Sequence, residues 1–153
     1  MNVHPITLEV VRNAFVAYAE EMATALCRSA YNMMIYEVRD FCCGLIDTEG
    51  RLISQNSGGL PIFLADLGVA VLDGIERYGL DGFEPGDVVI HNDPYRGGAH
   101  LPEHTVIKPV YSHGELFGFV ANIAHLAEIG GMAPGSFAAT ATDVYQEGLR
   151  VPP

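Results

Sequence analysis

Two short turn signals limit what this chain can fold into more than any other feature. Asp47-Thr48-Glu49-Gly50 separates an apolar run at 41–46 from residues 51–55, and Ser112-His113-Gly114-Glu115 separates 105–111 from 116–125. A connection this short turns the chain back on itself, whereas parallel neighbours need a crossover of a dozen residues or more. Asp and Gly supply the local hydrogen bonds and positive φ that such turns require. Two antiparallel hairpins are therefore expected, one over residues 36–55 and one over 105–125, with His113 a solvated turn residue. A further turn at Glu84-Pro85-Gly86-Asp87, with Pro and Gly at its centre, has the pattern of type II and leads into an apolar run at 87–90.

Two helices complete the pattern. Over residues 6–30, Val11, Ala14, Tyr18, Met22, Ala25 and Ser29 recur at helical spacing, Pro5 and Thr7 mark the first turn, and Asn32 is the expected stop. Over residues 64–78, Leu64, Leu67, Val71, Ile75 and Tyr78 share a face and Gly79 is a natural terminator. The fold class is α+β: two helices packed on mainly antiparallel β-hairpins with long Gly-rich loops, without βαβ units or internal repeats. From Leu126 onward Gly130-Gly131, Pro134-Gly135 and residues 138–141 predict irregular backbone. The sequence ends on Val151-Pro152-Pro153, which has the character of a mid-loop, so residues 1–153 are expected to be part of a longer polypeptide.

With 49% hydrophobic and 18% charged residues the chain is globular rather than disordered. A net charge of −11 with only eight Lys and Arg argues against a nucleic-acid partner. The longest apolar runs fall short of a membrane span, and no basic-then-apolar leader opens the sequence, so no membrane association is expected. Cys42 and Cys43 are adjacent and would alternate faces on a strand, which disfavours a bridge between them. Three cysteines cannot all pair, and a reducing, cytoplasmic location is the simplest expectation.

The chemistry concentrates between the expected strands. His91-Asn-Asp-Pro-Tyr-Arg-Gly-Gly-Ala-His-Leu-Pro-Glu-His104 holds three imidazoles, two carboxylates, an arginine and adjacent glycines in fourteen positions. A second loop starts at His125 and carries Glu128, Gly130 and Gly131. Loops held by strands are where scaffolds display function, and these two are expected to be halves of one polar site. On a strand His100 and Glu103 would face opposite ways, and Pro102 opposes a long helix, but a tight turn would bring both to one side. With His125 added, two imidazoles and a carboxylate suit zinc, manganese or ferrous iron and leave positions open for water or substrate. Asp40 or Asp93 would be a fourth ligand, Gly97-Gly98 and Gly130-Gly131 would allow close backbone approach, and His91 and His104 remain unassigned alternatives. The competing reading is hydrogen-bonded structural histidines. The sequence has no HExxH, GxSxG, CxxC or phosphate-loop motif, so ATP chemistry would need residues elsewhere.

Several stretches in order resemble the N-terminal part of the hydantoinase B/oxoprolinase family: Pro5-Ile6-Thr7-Leu8-Glu9-Val10, Arg39-Asp40-Phe41, Asn92-Asp93-Pro94-Tyr95, Gly97 to Glu103, Ala124-His125, Ile129-Gly130-Gly131, Pro134-Gly135-Ser136 and Tyr145 to Leu149. The family comprises B-type subunits of N-methylhydantoinases, ATP-dependent lactamases and acetone or acetophenone carboxylases. The resemblance implies a metal site at Asp40, His100, Glu103 and His125. Glu103 stands where the family usually has aspartate, one methylene shorter. It further implies an A-type partner that uses ATP and Mg to phosphorylate a lactam or ketone, in a hetero-oligomer. The B-type part would then open a hydantoin, 5-oxoproline or related lactam, with Asp93 as proton acceptor, reserve ligand or a group orienting a histidine. Ketone carboxylation, or a non-catalytic scaffold docking the A-type partner, are the alternatives.

Overall fold

The computed structural model describes residues 3–153. Five antiparallel strands form one sheet in the order β2-β1-β5-β4-β3, where β1 is Phe41–Ile46, β2 Leu52–Gln55, β3 Val89–His91, β4 Glu103–Ser112 and β5 Glu115–His125. Both predicted hairpins are present. In the second, Ser112 pairs with Glu115 across His113 and Gly114, which have φ of 51° and 84°, the mirror-image turn that suits strand twist. Gly86 adopts φ 104° in the turn closed by the Asp87 N–H donating to the Glu84 carbonyl, as its sequence predicts.

The helices cover opposite faces of the sheet. Helix α3 (Pro61–Tyr78) lays Phe63, Leu67, Ala70 and Val71 against Ile46, Ile107, Phe119, Ala121 and Ile123, the larger of two apolar cores. On the other face α1 (Pro5–Ser29) and a one-turn helix α2 (Met33–Tyr36) meet Phe41, Cys43 and Ala124. Because β1 is covered on both sides, all six of its residues are buried. Each fully buried large side chain contributes about 1.5–3 kcal/mol, so the α3 side carries most of the stability.

Three expectations need correction. The first hairpin begins at Phe41, because residues 33–36 form α2, capped by the Asn32 side chain accepting from the Met34 N–H. Asn32 thus starts a helix rather than merely stopping one. The packing face of α1 is also rotated: Ala19 and Ala23 are its buried residues, while Val11 and Tyr18 are exposed. Apolar side chains occur all round this helix, and its alanines allow the closest approach to the sheet. His91 lies within β3 rather than in the loop after it. All three cysteines are free, as expected. Among the described residues no helix is long and apolar enough to cross a membrane.

Candidate metal centre

Three neighbouring strands bring their ends to one place. Asp40 immediately precedes β1, His125 ends β5 and Glu103 opens β4, with Glu103 directly opposite His125 in the ladder. The His125 N–H donates to the Asp40 carbonyl at 3.0 Å, which extends the β1–β5 pairing to the edge of the site. The Asn32 side-chain amide donates to the His125 carbonyl at 2.7 Å, so α2 holds the same strand end.

His100 reaches the row through a tight turn. The Glu103 N–H donates to the His100 carbonyl at 3.0 Å, and His100 Nε2 lies 3.2 Å from Glu103 Oε1. The turn does what a strand through Pro102 could not: it puts both side chains on one side. One ligand atom each from His100, Glu103 and His125 lies within 4.8 Å of the others. The imidazoles of His100 and His125 meet edge to face, with centroids 5.2 Å apart. Asp40 Oδ2 is 3.7 Å from His125 Nδ1, outside the group of three but adjacent to it.

The electrostatics are those of a site short of positive charge. Burial, reinforced by the Asp40 carboxylate, raises the Glu103 carboxyl to about 7. Burial lowers the His125 pKa, against the pull of Asp40. Glu103 Oε2 and both ring nitrogens of His125 are buried without a hydrogen-bond partner among the described residues. Unsatisfied buried polar atoms are rare, and each calls for an explanation. Two imidazoles and one or two carboxylates with free lone pairs fit a divalent cation such as zinc, manganese or iron, with coordination positions left over.

Asp93 is placed elsewhere. Its side chain is fully buried, with Oδ2 2.6 Å from the Arg150 guanidinium and Oδ1 accepting from the Tyr95 N–H at 3.0 Å. Burial raises its pKa, but the bonds from Arg150 and Tyr95 prevail and hold it below the usual value. Asp93 therefore does not join the group of three as a ligand, and a carboxylate held this way is a poor proton acceptor. Its neighbour Asn92 donates to the carbonyls of Leu101 and Leu149 and accepts from the Val151 N–H. The Asn92–Asp93 pair thus ties the His100 turn to residues 149–151. His91 is wholly buried opposite Thr105 and His104 is half-buried in β4; neither joins the three.

The loop after His125 is held by one acid. Glu128 accepts from the N–H groups of Gly130 and Gly135 and from the Ser136 hydroxyl, bonds that lower its pKa to about 2. The loop then presents Phe137, whose ring stacks on His125 with centroids 5.3 Å apart and planes 17° from parallel. Gly131 permits the close approach of the Glu147 segment: a Cβ there would fall 2.7 Å from the Glu147 carbonyl oxygen. A cavity of about 320 Å³ opens beside His100, lined by Pro102, Phe137, Ala138 and Glu147 among others. The roles of Phe137 and Glu147 escaped sequence reasoning, although both lie in or next to stretches that carry the family resemblance.

These features define an α+β domain with a two-histidine, carboxylate cluster at one end of an antiparallel sheet. The model of the Hydantoinase B/oxoprolinase family matches residues 4–153, and the chain belongs to that family. It is 37% identical to a 5-oxoprolinase of Dictyostelium discoideum, over 96% of this chain and 12% of the relative. It is 36% identical to a D-/L-hydantoinase subunit of a Pseudomonas species, over 97% of this chain and 26% of that one. The crystal structure of an ATP-dependent caprolactamase from Pseudomonas jessenii superposes with a TM-score of 0.85 at 34% identity, over all of this chain and 26% of that one. The chain thus spans about a quarter or less of the length of these relatives.

Proposed function

We propose that this chain is the metal-holding N-terminal portion of a B-type subunit or domain that opens a cyclic amide after an ATP-using A-type partner has activated it. The observation that carries the reading is the convergence of His100, Glu103 and His125 with buried lone pairs that no described residue satisfies. The named relatives, an oxoprolinase, a hydantoinase subunit and a caprolactamase, support cyclic amides as the substrate class.

In this reading His100, Glu103 and His125 hold one divalent ion, and Asp40 stands beside His125 as a fourth ligand or as the anion that orients its ring. Such an ion, when bound, polarises a carbonyl and acidifies water, from a pKa of about 15.7 towards 7 in favourable zinc sites. Glu103 supplies its oxygens from a position fixed by the first residue of β4. Phe137 covers one face of His125 and keeps bulk water from it. Asp93 positions the His100 turn through Arg150 and takes no proton.

The test is ring opening of a lactam by the full-length protein with its A-type partner and ATP. Turnover lost in a His125→Ala variant, with assembly to the partner unchanged, is the expected result. Turnover surviving that substitution would sink the reading and favour a scaffold role. Incorporation of bicarbonate into a ketone, without lactam opening, would replace the hydrolase by a carboxylase.

A further inference from the structure

We propose that the cavity beside the three residues is the substrate-ring site, and that Glu147 accepts a hydrogen bond from an unsubstituted ring N–H. The substrate class is then a small cyclic amide with a free ring nitrogen, not an N-alkylated amide or a ketone. This deepens the proposed function and rests on it for the position of the reacting carbonyl.

Size comes first. At about 320 Å³ the cavity is at the low end of ligand pockets, which run from about 300 to 1,000 Å³. Its walls are chiefly Pro102, Phe137, Ala138 and Ala139, which offer contact area but no hydrogen bonds from their side chains. Phe137 remains 68% exposed although it stacks on His125. A large aromatic surface beside a polar cluster is a platform for a flat group, and the plane of an amide is such a group.

Glu147 supplies the selectivity. Glu128 is bonded to two backbone N–H groups and a hydroxyl, Asp93 is paired with Arg150, and Glu103 faces His100. The Glu147 carboxylate lines the cavity and has no hydrogen bond or ion pair among the described residues. Its segment is fixed by backbone bonds, the Met132 N–H to the Gln146 carbonyl at 2.7 Å and the Leu149 N–H to the Ile129 carbonyl at 2.9 Å. An ionised carboxylate only accepts, so a partner in this pocket must bring an N–H or O–H. A secondary cyclic amide has one carbonyl oxygen to turn towards His100 and one N–H to turn towards Glu147. A ketone or N-methyl amide has no donor and would leave the carboxylate desolvated and unpaired, which costs more than the bond itself contributes.

The test is direct binding to the full-length, metal-loaded protein, followed by calorimetry or ligand-observed NMR, with 2-pyrrolidone, N-methyl-2-pyrrolidone and cyclopentanone as probes. The lactam is expected to bind at least ~10-fold more tightly than either of the others, as for a charged acceptor that loses its donor. Glu147→Ala should abolish that preference while bound metal stays stoichiometric, and Phe137→Ala should weaken all three ligands alike. Equal affinities in the unaltered protein, no saturable lactam binding, or a preference that survives Glu147→Ala would each overturn the proposal. Metal content separates the two readings. If His100→Ala leaves bound metal unchanged, the metal assignment fails, while the N–H preference still stands or falls with Glu147→Ala.

Discussion

Two groups of polar residues flank the first turn of β4, built from the same kinds of side chain with opposite outcomes. At His100, Glu103 and His125 the carboxylate and imidazoles face one another with buried atoms unpaired. At Asn92 and Asp93, the carboxylate is equally buried but receives the Arg150 guanidinium and a backbone N–H, and the amide is saturated by three backbone groups. The difference is the supply of positive charge. Where the chain provides its own cation, the group is closed and structural. Where it does not, the site is one that an added cation would complete. Residue type alone therefore does not distinguish a ligand from a brace; the partner does.

That contrast can be broken from either side. The largest effect is expected from removing a member of the open group: Glu103→Ala should lower metal affinity by more than the ~10- to 100-fold typical of losing an outer-shell partner, measured by competition with a chelator. On the closed side, Arg150→Met should strand a buried carboxylate and destabilise the protein by about 3 kcal/mol, since breaking a buried pair from one side costs roughly 3–5 and Arg150 is part exposed. Chemical denaturation checks this, and metal content should be much less affected than stability.

Proton linkage gives a third test. The Glu103 carboxyl is raised from 4.5 to about 7 in the folded, metal-free protein, so that state holds a proton which the unfolded chain has already lost. Stability contributed by that proton is present below about 4.5 and is lost as pH rises through about 7. The loss is roughly 3 kcal/mol at most. His125 works in the other direction, because its lowered pKa favours the folded state as pH rises. Comparison with Glu103→Gln isolates the Glu103 contribution: the gap between variant and parent should widen in the variant's favour from pH 5 to about 7.5, and saturating metal should close it. The smallest effect is expected at Glu128, where Glu128→Gln should speed hydrogen exchange at the Gly130 and Gly135 amides and leave metal content unchanged.

The hairpins and helices were legible because their signals are local. His113-Gly114 and Asp47 to Gly50 carry their turn chemistry within a few residues, and α3 carries its apolar face within one window. Helix α2 was not legible, since four residues are too few to show a period. The buried face of α1 was misread because it is apolar on several sides and close packing favoured its alanines. At the site, the turn that unites His100 and Glu103 followed from Pro102 and the spacing. The position of Asp93 did not follow, because it depends on Arg150, 57 residues away in sequence. Phe137 and Glu147 were hidden for the same reason: each meets the site through contacts between distant loops.

Metal content of the purified full-length protein, measured by plasma mass spectrometry alongside His100→Ala and His125→Ala variants, bears most directly on the central claim. We predict about one divalent ion per chain in the unaltered protein and nearly none in either variant, with both still folded, as expected for ligands that act together. Unaltered protein purified without stoichiometric metal and unable to take it up, or variants that keep their full complement, would contradict it.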